Sequence, residues 1–262
     1  MKKTFSLVLF SVMVICVRSL VYSANDKSPD TTDLTHIFFT ANQAYRDGRF
    51  ALAVELYETL RARGVINGDI FYNLGNAYLK SGKIGKALVN YRRAELFMPR
   101  NEDLLANIQY TLQHTSDKID DRDPYYFLKS FCFWYSRLSL KELVTVFVIV
   151  HSGMWSVALV LLFKKLDYLP LALYILIAAV TIFGLSAAVK AYDIYNNPQG
   201  VVTAREITVR SGGSYNDTAL FALHEGTEFD WLEEGDGWVK IRLRDGKRGW
   251  VQKQTVEKVA IK

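Results

Sequence analysis

The chain has 262 residues, half of them hydrophobic, with 23% charged and a formal net charge of +5. Three of its positive charges, Lys2, Lys3 and Arg18, fall in the first 23 residues, and the rest of the chain carries no Lys/Arg stripe interleaved with stacking aromatics, so nucleic acid is excluded as a partner. Two cysteines, Cys16 and Cys132, form no CxxC pair, and four scattered histidines build no metal site. With no phosphate loop, HExxH or nucleophile elbow, neither a cofactor nor a catalytic centre is expected, and the chain reads as non-enzymatic.

Residues 1–23 read as a secretory signal peptide. Lys2 and Lys3 precede an apolar stretch, Phe5 to Val17, and Val21-Tyr22-Ser23 before Ala24 gives small residues at the cleavage spacing. An uncleaved anchor is the alternative; either one exports the segment beginning at Ala24.

Residues 34–115 repeat at a spacing of 34. Asn42 recurs as Asn76, Gly48 as Gly82, Ala53 as Ala87 and Tyr57 as Tyr91. The glycines suit turns, the alanines helix crossings, and the tyrosines the gaps between helix pairs. The stretch from Tyr72 to Pro99, YNLGNAYLKSGKIGKALVNYRRAELFMP, resembles the tetratricopeptide (TPR) consensus. Residues 101–115 read as a capping helix, with Asn101 or Asp103 near its start.

Helical periodicity puts Phe71, Leu74, Gly75 and Tyr78 on a buried face, and Tyr72, Asn76, Leu79 and Lys80 on another. In a TPR stack the second face lines a concave groove, with Phe38 and Asn42 as the first repeat's equivalents. Aromatic rings and amides there suit an extended peptide. Asn42 and Asn76 are therefore expected to be dispensable for folding and needed for partner capture; bridging between helices is the alternative. Asn42 and Asn73 match two positions of TPRs that clamp a peptide's C-terminal carboxylate, but Phe38, Asp103 and Asn107 stand where that clamp has its bases.

Residues 116–124 read as a charged linker. Residues 125–140 are crowded with aromatics, with Leu128, Phe131, Tyr135 and Leu138 on one stripe, and read as an amphipathic segment at a lipid interface. Two apolar runs come next, 143–163 and 169–189. Each has 21 residues, about 31 Å as a helix, enough to cross a bilayer. Lys164 and Lys165 between them place the loop in the cytoplasm and both flanking domains outside. His151 stands alone mid-span and reads as a neutral ring bonded to backbone or to Ser152. Gly184 and Ala188 read as a small-xxx-small pair packing the hairpin.

Past a linker at 193–200 the period changes to two. Val239, Ile241 and Leu243 alternate with Lys240, Arg242 and Arg244, and Asp245-Gly246 reads as a hairpin turn. Five short strands predict a small barrel that folds alone. Residues 201–258 resemble bacterial SH3-like domains, in which Trp238 and Trp250 are candidates for a ligand surface. The fold class expected is therefore multidomain: an all-α TPR repeat, a two-helix transmembrane hairpin and an all-β SH3-like barrel.

The order of these parts, with ANQAYRDGRFALAVELYETL and YNLGNAYLKSGKIGKALVNYRRAE, resembles the BatE family encoded in bacterial aerotolerance (Bat) operons. That resemblance implies a scaffold in the inner membrane with both domains periplasmic, binding protein or peptide partners in an envelope-stress complex. The implied partners are membrane proteins with von Willebrand A domains and a MoxR-type ATPase. The alternative is a cell-wall sensor whose SH3-like domain binds peptidoglycan.

Overall fold

The computed structural model describes residues 31–117, 132–163 and 167–260. The expected signal peptide, residues 118–131 of the linker and aromatic segment, and the Lys164-Lys165 loop lie outside the described residues.

Five helices open the described chain: α1 (Thr31–Arg46), α2 (Phe50–Ala62), α3 (Gly68–Lys80), α4 (Ile84–Phe97) and α5 (Glu102–Gln113). Each packs on the next in sequence. The sequence period reappears as a structural one. Gly48 and Gly82 both turn the chain at φ +75°, a left-handed conformation that side chains resist. The side chain of Asn67 accepts from the Ile70 amide, and 34 residues on that of Asn101 accepts from Leu104, each at 2.8 Å, so α3 and α5 begin on the same cap. Ala53, Ala87, Tyr57 and Tyr91 are all buried, as are Phe71, Leu74 and Tyr78. Gly75 lets the Tyr91 ring in: a Cβ there would stand 2.5 Å from it.

The hairpin consists of α7 (Leu140–Phe163) and α8 (Leu169–Asn196), packed side by side; both are long and apolar enough to cross a membrane. Ser139 and Glu142 cap α7 reciprocally. The Glu142 carboxylate accepts from the Ser139 amide at 2.8 Å, and the Ser139 hydroxyl accepts from the Glu142 amide at 3.3 Å. Gly184 faces Phe147, where a Cβ would come within 3.0 Å of the ring. Ala187 is buried and Ala188, the expected partner of Gly184, is exposed. His151 does not bond Ser152. Its Nε2 accepts from the Trp155 indole at 3.0 Å, one turn on, while Ser152 bonds the Val148 carbonyl.

The end of the aromatic segment forms a short helix, α6 (Phe133–Arg137), that ties the two apolar helices together. Tyr135 donates to Asp193 at 2.7 Å, Trp134 to Ser186 at 3.2 Å, and Lys190 to the carbonyls of Tyr135 and Leu138. Arg100, just past α4, reaches Glu142 at 2.5 Å. Both soluble parts therefore leave the hairpin from one end.

The expected linker at 193–200 is shorter than its composition implied. Helix α8 runs on to Asn196, and β1 (Gln199–Val202) starts three residues later. Then come β2 (Glu206–Arg210), β3 (Ala219–His224), β4 (Glu228–Gly235), β5 (Trp238–Arg242), β6 (Arg248–Gln252) and β7 (Val256–Lys258), in an antiparallel sheet of order β3-β2-β6-β5-β4-β1-β7. Seven strands thus replace the expected five. Val239, Ile241 and Leu243 point inward as the alternation required, and Gly246 makes the turn at φ +88°.

This β domain does not stand apart. Its β1 and β7 lie on α4, and Val201 and Val259 belong to the helical core. Period-two alternation reports an inward face but is silent on what covers an outer strand.

Candidate functional site

The helical repeats enclose a groove of about 520 Å³ on the side of α1, α3 and α5. Tyr72, Asn76, Leu79 and Lys80 line it, all on α3, as the periodicity required. Phe38 and Asn42 do not line it. They lie on α1, half-buried, with Phe38 edge-on to Tyr57 at 6.4 Å. Tyr45, Tyr110 and His114 also line it, with Asn107 and, at the turn into α4, Gly82 and Ile84. Sequence reading left out these first three. The signal existed, because Arg46, Lys80 and His114 are each 34 residues apart, and so are Asn42, Asn76 and Tyr110.

Hydrogen bonding between the helices repeats too. Tyr57 donates to the Asn42 Oδ1 at 2.6 Å, and Tyr91 to the Asn76 Oδ1 at 2.8 Å. Asn73 donates to the same Asn42 oxygen at 3.3 Å, and Asn107 to Asn76 at 2.9 Å. Each amide oxygen thus joins an inner helix, the outer helix behind it and the next inner helix. Burial pushes the Tyr57 hydroxyl up to about 12, so it stays a donor at every working pH. The expectation that Asn42 and Asn76 are dispensable for folding therefore meets a geometry in which both close buried tyrosine hydroxyls.

A second concavity, about 550 Å³, lies on the β domain between Tyr215, Trp238, Asp236 and the Gln252–Gln254 stretch. Trp238 is buried and meets Tyr215 edge-to-face at 5.2 Å. Trp250 is outside this slot, half-buried on β6 with Lys240 5.7 Å above its ring. The two tryptophans meet at the loop between β2 and β3, where a Cβ on Gly213 would lie 3.6 Å from Trp238 and 3.7 Å from Trp250.

Between the groove and the slot runs the seam on α4. Arg92 grips Glu228 with two bonds, 2.6 and 3.0 Å, and Glu95 at 2.9 Å. Arg93 pairs with Glu257 and donates to the Lys258 carbonyl, both at 2.8 Å. The Gly85 amide donates to Glu225 at 2.8 Å. Past α5, Asp117 accepts from the Thr227 hydroxyl at 2.6 Å and from the amide and ring of His224, each at 2.7 Å. Burial raises the Asp117 carboxyl, but these bonds outweigh it and leave its pKa below the usual value. The bond to Asp117, then its charge, raises His224.

Residues 205–257 match the family of the bacterial SH3 domain. No curated protein matches the chain.

Proposed function

We propose that the chain is a non-enzymatic, membrane-anchored scaffold that captures a protein segment in the groove of its helical repeats. The observation that carries this reading is the groove itself: about 520 Å³, lined by tyrosines, amides and a lysine with no ion pair among the described residues, on the face where the 34-residue period puts them. That period, the caps and the glycine turns together support a tetratricopeptide assignment. The signal peptide, the Lys164-Lys165 loop and the shared end of the hairpin support an inner-membrane protein with both domains in the periplasm. The resemblance to the BatE family supports a Bat-type complex with von Willebrand A membrane proteins and a MoxR ATPase.

The test is purification of the full chain from native membranes beside a Lys80→Ala/Tyr110→Ala variant. Both side chains are exposed, so the fold should hold. Recovery of von Willebrand A proteins by the parent and their loss from the variant is expected; equal recovery from both would remove the groove from the account.

The slot at Trp238 favours a second reading, a cell-wall sensor binding peptidoglycan peptide through an aromatic wall and amide side chains. Cosedimentation of the detergent-solubilised chain with insoluble peptidoglycan, abolished by Tyr215→Ala, would favour it.

A further inference from the structure

We propose that the groove's occupant is an extended acidic segment of a partner protein, with its carboxylates set on a ladder of bases formed by Arg46, Lys80 and His114. The inference rests on the groove reading and gives the partner its chemistry.

The three bases occupy one position of the period, so each inner helix contributes one at the same level. Arg46 and Lys80 lie in the last turns of α1 and α3, and His114 is the C-cap of α5. Lys80 and His114 line the groove and Arg46 stands next to its Tyr45 wall; among the described residues no carboxylate lines it. A base at a helix C-terminus also offsets the macrodipole, but that end carries only about half a negative charge, so each Arg or Lys leaves a surplus.

Among the described residues Lys83 and Lys86 carry no ion pair, but neither lines the groove, whereas the arginines nearby are engaged. Arg49, Arg61, Arg63, Arg92, Arg93 and Arg100 are all ion-paired. Among the described residues Lys80 has no ion pair and Arg46 bonds only the neutral Gln43, at 2.6 Å. Asp47 beside it is taken by Arg49 at 2.7 Å and Gln43 at 2.6 Å.

The opposite rim has the opposite sign. Asp69 and Asp103, also 34 residues apart, stand in the first turns of α3 and α5. Eleven residues separate Asp69 from Lys80, about 16 Å along a helix, which exceeds the screening length of roughly 8 Å at physiological salt. The two rims therefore act separately: one attracts carboxylates, the other repels them, and the pair fixes the segment's register. Between them the hydroxyl of Tyr110 and the amides of Asn76 and Asn107 face the space a peptide backbone would fill. The size of the groove suits several residues rather than a lone anion.

The test uses the full chain in phosphatidylcholine nanodiscs and two acetylated, amidated peptides: four Tyr-Ala-Glu repeats, and four Tyr-Ala-Gln repeats. At low salt the Glu peptide should bind at least about tenfold more tightly, with the difference shrinking as salt rises. Lys80→Glu should abolish the preference. Arg205→Glu, the same charge change on the β domain, should leave it intact. Equal binding of the two peptides, or a preference that survives Lys80→Glu, overturns the acidic segment while leaving a peptide groove. Displacement of the Glu peptide by millimolar inorganic phosphate overturns it in favour of a free-anion site. Failure of both peptides to bind removes the groove reading with it.

Discussion

Glu228→Gln should loosen the docking of the β domain on α4 while leaving the helical repeats folded. The Glu228 side chain is 10% exposed and that of Arg92 16%, so the pair sits where charge is poorly screened. Arg92 gives Glu228 bonds of 2.6 and 3.0 Å, and Arg244 adds a longer contact at 3.3 Å. Breaking a buried pair from one side costs about 3–5 kcal/mol, because the surviving charge is left without compensation. Glu95 keeps its hold on Arg92 and lowers the expected loss to ~2–4 kcal/mol. The amide preserves the volume, so the loss reports charge rather than packing. Hydrogen exchange on the full chain reads it directly at Gly85, Val202 and Val259, whose amides are bonded at or beside the seam. A loss of ~2 kcal/mol accelerates their opening about 30-fold, at 1.4 kcal/mol per factor of ten. A double change, Arg92→Met with Glu228→Met, should recover much of the protection. Unchanged exchange at the three amides, or equal acceleration throughout α1–α3, would refute the reasoning.

Three further outcomes are expected. Changing Asn42 and Asn76 together to Ala should destabilise the repeats by about 1–3 kcal/mol per site, because each loss leaves a buried tyrosine hydroxyl without its acceptor; thermal melting checks it, and an unshifted melt would restore these amides to a purely ligand-facing role. Gly75→Ala should destabilise by about 1–3 kcal/mol despite alanine's better helix propensity, since its Cβ meets the Tyr91 ring, and denaturant unfolding will show the sign. The Asp117–His224 contact should hold best between about pH 4 and 6.5. The raised pKa of His224 makes its contribution whole below ~6.5 and lost as pH climbs through the folded value, whereas the lowered pKa of Asp117 makes its contribution whole above ~3.9 and lost on acidification. Proteolysis after Arg205 should therefore be slower at pH 5.5 than at pH 8.5, and His224→Gln should erase that difference.

The local repeat was legible because its parts are local. A glycine that must turn, a small residue where helices cross and an asparagine that caps are each decided within a few positions, and the 34-residue period multiplies them. The groove face on α3 followed from helical period alone. What escaped is long-range. Nothing within Arg92 or Arg93 announces that their partners lie more than 130 residues away. Asp117 looked like one more charge in a linker, yet it closes the turn at His224 and Thr227. The split of Phe38 and Asn42 from the groove has the same origin: period gives a face, but which part of that face is concave depends on how successive helices tilt.

The seam also explains why the two candidate surfaces remain open. Helix α4 is an outer helix, and its exposed side is occupied by β1 and β7, so the β domain takes the back of the repeats and leaves the inner helices uncovered. On the β domain the same docking uses the β1–β7 end of the sheet, while the Trp238 slot lies by β5 and β6. The groove and the slot are therefore held in one orientation by Arg92, Arg93 and the Asp117 contact, and Arg100 joins that unit to α7 through Glu142. A partner touching both surfaces would meet the second at a high effective concentration without any linker to order. Loosening the seam separates that contribution from the affinity of each surface alone: Glu228→Gln should weaken such a partner and leave a short groove peptide unaffected.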